Sequence, residues 1–238
     1  MNLSRKVLSA ATALMLTIGA SPEANAVFVA RICNDLLCQN GDDVIVQDNS
    51  AGDSIGMTGA INFATSAFGY TLLVNTAQSK PVIGSAAAPQ LDLSYAITST
   101  ASSVGNVFLY ASDTDFTTSG SFLLSVGGTN SGGSGTGTAR AWGGTSNAEF
   151  QFSGANLLGT LALSGPTYSG TVAGPFSSSV NPYSLTIGVM ISRSTSGTSS
   201  GDLNLQVATI PEPETYAILL AGLGLLGWVG RRKKLKAA

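Results

Sequence analysis

The central part of this sequence predicts an all-β domain, an antiparallel two-sheet sandwich, and three observations carry that reading. Several segments alternate apolar and polar residues with the period of two that places every second side chain on one face of a sheet. Glycine, asparagine and serine clusters interrupt those segments at short intervals, with 29 glycines in 238 residues. Charged residues make up only 10% of the chain while hydrophobic residues reach 44%, too apolar for disorder and without a convincing amphipathic helical stripe in the body. About ten short strands with such punctuation fit a jelly-roll or immunoglobulin-like sandwich.

The strands can be placed in order. Residues 27–32, 43–47, 58–63 and 70–76 are the first four apolar-rich segments. "QLDLSYAIT", residues 90–98, sets Leu91, Leu93, Tyr95 and Ile97 on one face against Asp92, Ser94 and Thr98 on the other. Residues 106–111, 121–126, 137–142, 148–152 and 158–163 follow. "YSLTIGVMIS", residues 183–192, puts Tyr183, Leu185, Ile187, Val189 and Ile191 together, and "DLNLQV", residues 202–207, closes the series with Leu203, Leu205 and Val207. The run "GGTNSGGSGTGT", residues 127–138, reads as a glycine-rich hairpin loop because strand patterns continue on both sides.

Both ends of the chain differ from this body. Arg5 and Lys6 precede an apolar stretch over residues 7–20, and Ala24-Asn25-Ala26 is a small-x-small site. Residues 1–26 are therefore expected to form a signal-peptide helix removed by signal peptidase after Ala26. At the other end, Pro211 and Pro213 break the chain away from the body in a linker of residues 209–214. Residues 215–230 are almost wholly apolar. As a helix they would extend about 24 Å at ~1.5 Å per residue, enough to span a membrane with snorkelling and thinning. Arg231, Arg232, Lys233, Lys234 and Lys236 form a stop-transfer tail over residues 231–238, held on the cytoplasmic side. The precursor is expected in the inner membrane with residues 27–208 in the periplasm.

This ending resembles the PEP-CTERM sorting signal of Gram-negative bacteria: Pro211-Glu212-Pro213, then the apolar helix, then the basic tail. The resemblance implies recognition of the tripeptide by an exosortase, a membrane-embedded cysteine transpeptidase-like enzyme that removes the tail. It also implies a mature form at the cell surface or outside the cell, in the setting of exopolysaccharide and biofilm.

Charge and residue inventory narrow the chemistry of the body. Between residues 27 and 208 four basic side chains face ten acidic ones, a net of −6, which excludes a nucleic-acid partner. The chain has no histidine, so a Ser-His-Asp triad and a His-ligated metal are excluded. Gly52-Asp53-Ser54-Ile55-Gly56 matches a nucleophile-elbow string without a base and reads as a turn. Gly222, Gly224 and Gly227 match a dinucleotide string but lie in the C-terminal apolar segment, where they permit close helix approach. Glu149 is the body's only glutamate, so a paired-carboxylate glycosidase has no assignable partner. Cys33 and Cys38 are the only cysteines, and export makes a disulfide the expected pairing. Asp113 and Asp115 in "SDTDF", spaced for one side of a strand end, are the candidate Ca²⁺ ligands, with Asp42, Asp43, Asp48 and Asp53 a second acidic group; no other cofactor is expected. Trp142 and Tyr168, beside turn-like sequence, are the candidate aromatic platforms for extracellular polysaccharide.

The reading that results is an exported, non-enzymatic surface or matrix protein, with a polysaccharide-binding module, assisted by calcium or not, as the alternative. Mass spectrometry of the abundant form is expected to find an N-terminus at Val27 and no peptide from residues 231–238; an intact basic tail on that form contradicts removal of the signal.

Overall fold

A computed structural model describes residues 27–100, 104–133, 135–208 and 220–223. Twelve strands follow in order: β1 (Val29–Cys33), β2 (Val44–Gln47), β3 (Ala60–Ala67), β4 (Tyr70–Gln78), β5 (Gln90–Ser99), β6 (Val104–Phe116), β7 (Gly120–Ser131), β8 (Gly135–Gly143), β9 (Leu157–Leu163), β10 (Thr167–Phe176), β11 (Tyr183–Arg193) and β12 (Gly197–Ala208). One six-stranded sheet has the order β2-β1-β6-β11-β8-β9, the other β10-β7-β12-β5-β4-β3. Every strand pairing is antiparallel, and the described residues form an all-β sandwich, 61% of them in strands.

The period-two pattern decides which side chains meet between the sheets. On β5, Leu91, Leu93, Tyr95 and Ile97 are buried, and β12 brings Leu203, Leu205 and Val207 beside them. Across the layer stand Leu109 and Ala111 of β6 and Ile187, Val189 and Ile191 of β11. Burial of these aliphatic side chains, each contributing about 1.5–3 kcal/mol, holds the sheets face to face.

Two buried cations fasten opposite ends of this layer. Arg193, 1% exposed, ends β11 and reaches across to the other sheet. It donates to Ser131 O at 2.7 Å and Ser199 Oγ at 2.9 Å, while its own N–H donates to Tyr70 Oη at 3.2 Å. Ser199 in turn donates to Asn130 Oδ1 at 2.6 Å. At the far end Lys80, just beyond β4, pairs at 2.8 Å with Asp113 of β6, whose side chain is fully buried.

The sheets differ on their outer faces. The second presents Asp92, Ser94 and Thr98 of β5 beside Thr198, Asp202 and Asn204 of β12, an uncovered polar surface. The first is covered by a small second core of Phe108, Tyr110, Trp142 and the cysteines, packed by Phe150 and Phe152. Tyr110 lies across Gly188, where any Cβ would strike its ring.

Three sequence expectations are corrected here. Residues 148–152 form no strand: Phe150 has φ +55°, and the segment lies as a flap on the first sheet, its N–H donating to Ser112 Oγ at 3.2 Å. Strand β10 is an addition, hidden because "TYSGTVAGPF" has only Tyr168 and Phe176 as large buried side chains. The glycine-rich run is mostly strand: β7 continues to Ser131 and β8 begins at Gly135. Its glycines make room, since Gly128, like Gly201 of β12, is crossed by the Tyr168 side chain. The expected helices over residues 1–26 and 215–230 lie outside the described residues, apart from a helical stretch at 220–223.

Replacing Arg193 by Ala should destabilise the fold by about 3 kcal/mol or more, because it opens a cavity and removes the buried donor to Ser131 O and Ser199 Oγ; urea unfolding measures it. Asp92 offers a pH test. Its carboxyl is pushed up to about 6, first by burial and then by the Asp202 charge. The native state thus holds a proton that the unfolded chain has released between about pH 4 and 6, so stability from this site falls as pH rises through that window. Because the Asp92 side chain is partly open to solvent, screening reduces the gain, and Asp92→Asn should stabilise by about 1 kcal/mol at pH 7.5 and by nothing at pH 4.

Candidate functional site

The first sheet's covered outer face carries an open groove of about 300 Å³. Its floor comes from sheet register: Gly188 of β11 pairs with Tyr110 on one side and Arg140 on the other, so both project outward in one row. Trp142, two residues along β8, follows on the same face. Its ring meets Phe152 at 5.1 Å and Tyr110 at 5.8 Å, both edge-on, and Tyr110 meets Phe152 at 4.6 Å. The walls are Leu36 and Leu37 on one side and Leu157 on the other, each about 40% exposed.

The Leu36–Leu37 wall is built by the cysteine loop. Cys33 and Cys38 are joined, Cα atoms 5.4 Å apart, and the five-residue separation leaves a tight loop. Asp35 accepts from Leu37 N at 2.9 Å and Gln39 N at 3.0 Å, which fixes the turn. Tyr110 Oη donates to Leu36 O at 2.9 Å, and burial raises that phenol well above its ordinary value. Arg31 donates to Cys38 O at 2.7 Å, pairs with Asp43 and lies 5.5 Å over the Phe150 ring. The backbone at Cys38 is left-handed, φ +53°.

Arg140 is the charged group of the groove, with Ser153 and Thr160 as its other polar side chains. Among the described residues it makes no hydrogen bond or ion pair, the ion pairs there being Arg31–Asp43 and Lys80–Asp113. A partly buried guanidinium with five free donors beside an apolar wall can take a carboxylate or another oxygen-rich ligand group.

The structure places the sequence-predicted residues differently. Trp142 is 5% exposed, so it supports the groove from beneath and presents no open platform. Tyr168 is removed from the surface: it is buried on the inner side of β10, its hydroxyl 2.9 Å from Tyr95 Oη and donating to Ser200 O at 2.8 Å. Asp113 and Asp115 are not brought to one ligand. Asp113 is spent on Lys80, Ser79 and Thr114 N, whereas Asp115, at φ +63°, accepts from Asn147 Nδ2 at 2.6 Å.

The second acidic group is likewise divided. Asp43 goes to Arg31, Asp42 to Asn34, Asp48 to Gly59 N, and Asp53 to the N–H groups of Ile55 and Asn62. Gly52–Gly56 therefore plugs the free edge of β3, Ser54 bonding Asn62 O from both its N–H and its hydroxyl. Among the described residues, Cys33, Cys38 and Asp43 have ligand atoms within 4.8 Å, but the sulfurs are bonded to each other and Arg31 neutralises the carboxylate. Sequence reasoning passed over Leu36, Leu37 and Arg140; two adjacent leucines in a tight cysteine loop, where polar turn residues are usual, were the signal to notice.

Pro211, Glu212, Pro213 and the basic tail from Arg231 to Lys236 lie outside the described residues. Among the described residues no helix is long and apolar enough to cross a membrane. No curated protein sequence matches the chain. Thirteen chains of solved structures match it. One is TmCBM61 in complex with beta-1,4-galactotriose, 8% identical, covering 58% of this chain and 88% of its own, with a TM-score of 0.33. Another is the family 11 carbohydrate-binding module from Clostridium thermocellum in complex with a beta-1,3-1,4-mixed-linked tetrasaccharide, 12% identical, covering 67% and 95%, with a TM-score of 0.33. A family model of the PEP-CTERM protein-sorting motif matches residues 209–234, the proline pair, apolar run and basic residues together, and the chain is accordingly a carrier of the PEP-CTERM sorting signal.

Proposed function

We propose that this is a non-enzymatic component of the cell surface or extracellular matrix, whose body engages extracellular polysaccharide. The single observation that carries the reading is the sorting motif at residues 209–234, which marks an exported protein processed by exosortase toward the surface or beyond. Signal peptidase acts first at the N-terminus, and the membrane holds the precursor until the exosortase cuts. A sandwich with no histidine, and with its described aspartates largely committed to backbone N–H groups and to Arg31 and Lys80, supports a binding role over a catalytic one.

The groove supports the polysaccharide half of the proposal. An apolar wall of Leu36, Leu37 and Phe152 suits the C–H face of a sugar ring, and the unpaired Arg140 suits a carboxylate on that ring. The occupant that fits both is a polymer containing acidic sugars. Calcium is proposed only as a bridge between that polymer and surface carboxylates, with Asp113 and Asp115 excluded as a shared site by their separate partners.

Affinity electrophoresis against the exopolysaccharide of the producing cells tests this. Arg140→Gln is expected to weaken retention about tenfold or more, from the loss of a charge-assisted bond of ~1.5–3 kcal/mol. Leu37→Ser should weaken it less. Retention unchanged in both variants, or absent in the parent protein with and without chelator, removes the groove from the proposal.

A further inference from the structure

The Lys80–Asp113 pair is more elaborately built than a structural ion pair requires. Asp113 is fully buried and Lys80 only 12% exposed at the side chain, with Nζ 2.8 Å from Asp113 Oδ2. The ammonium sits 4.2 Å from the centre of the Phe116 ring. It also donates to Thr114 O. The carboxyl group is held at both oxygens: Thr114 N donates to Oδ1 at 2.7 Å, and the Ser79 hydroxyl donates to Oδ2.

We propose that Lys80 and Asp113 condense to an intramolecular isopeptide bond that ties one sheet covalently to the other. In the first step a proton passes from the ammonium to the carboxylate, leaving an amine and a carboxylic acid in contact. The free Nζ lone pair attacks Asp113 Cγ. Charge that develops on Oδ1 meets the Thr114 N–H, an oxyanion donor already in place. Oδ2 then leaves as water, taking the carboxyl proton and one from Nζ, with the Ser79 hydroxyl hydrogen-bonded to it. An Nζ–Cγ bond forms, a Cγ–Oδ2 bond breaks, one water departs, and no oxidant or reductant is involved.

The test is peptide mapping by mass spectrometry of the full chain purified from the envelope of expressing cells. The expected result is a branched peptide joining the Lys80 and Asp113 segments, lighter by one water than the two together. Lys80→Arg keeps the charge but should lose the branched peptide completely. Asp113→Asn should give the same branched peptide with ammonia as the leaving group. If the parent protein, fresh and aged, yields only linear Lys80 and Asp113 peptides, the proposal is wrong, whatever the variants do and whether or not the groove binds polysaccharide.

Discussion

The structure depends on closing two sheets over one apolar layer. Non-directional burial of leucine, isoleucine and valine supplies the attraction, but it does not prevent one sheet from sliding on the other. That constraint is met at the ends, by Arg193 and by Lys80, each reaching from one sheet to a partner on the other. Their pairings differ in kind. Arg193 is surrounded by neutral oxygens, which spread its charge over several dipoles, while Lys80 meets a full counter-charge. A buried ion pair contributes little net stability once desolvation is counted, yet breaking it is expensive, so the Lys80–Asp113 pair acts chiefly to set the alignment of the layer.

The two outer faces divide the labour. The second sheet is bare and hydrophilic along β5 and β12, with Thr98 and Thr198 hydroxyls 2.9 Å apart across the ladder. The first is roofed by the cysteine loop and the aromatic flap, and the groove exists because these two coverings leave a gap over Arg140. Neither covering is regular secondary structure. Each is anchored at its ends instead, the loop by the disulfide and Tyr110, the flap by Ser112.

The sandwich was legible wherever large apolar residues alternate with polar ones, as on β5, β11 and β12. It became illegible where glycine replaces the inward side chain. At the end of β7, Gly128 is crossed by Tyr168 of β10, and within β10 Gly170 and Gly174 meet Leu161 of β9 and Phe122 of β7; one-dimensional periodicity cannot register a contribution from another strand. Residues 148–152 failed in the opposite direction: Phe150 and Phe152 share the spacing of a strand, but they pack on the back of a sheet already complete. The candidate site was legible only in part. Trp142 pointed to the correct region for the wrong reason, since exposure depends on what else covers the face, and that cover comes from residues 36–38, about a hundred positions away, and from residues 150–152, which fold back from beyond the end of β8.

The exit of the chain from the sandwich carries a mechanical consequence. The last described residue of the body, Ala208, ends β12, an interior strand flanked by β5 from Gly197 to Gln206 and by β7 from Thr198 to Ala208. Tension applied from the C-terminal side runs along that strand and loads both hydrogen-bond ladders in shear, so that many bonds must yield together. A tether leaving from a border strand would peel them one after another under much smaller force.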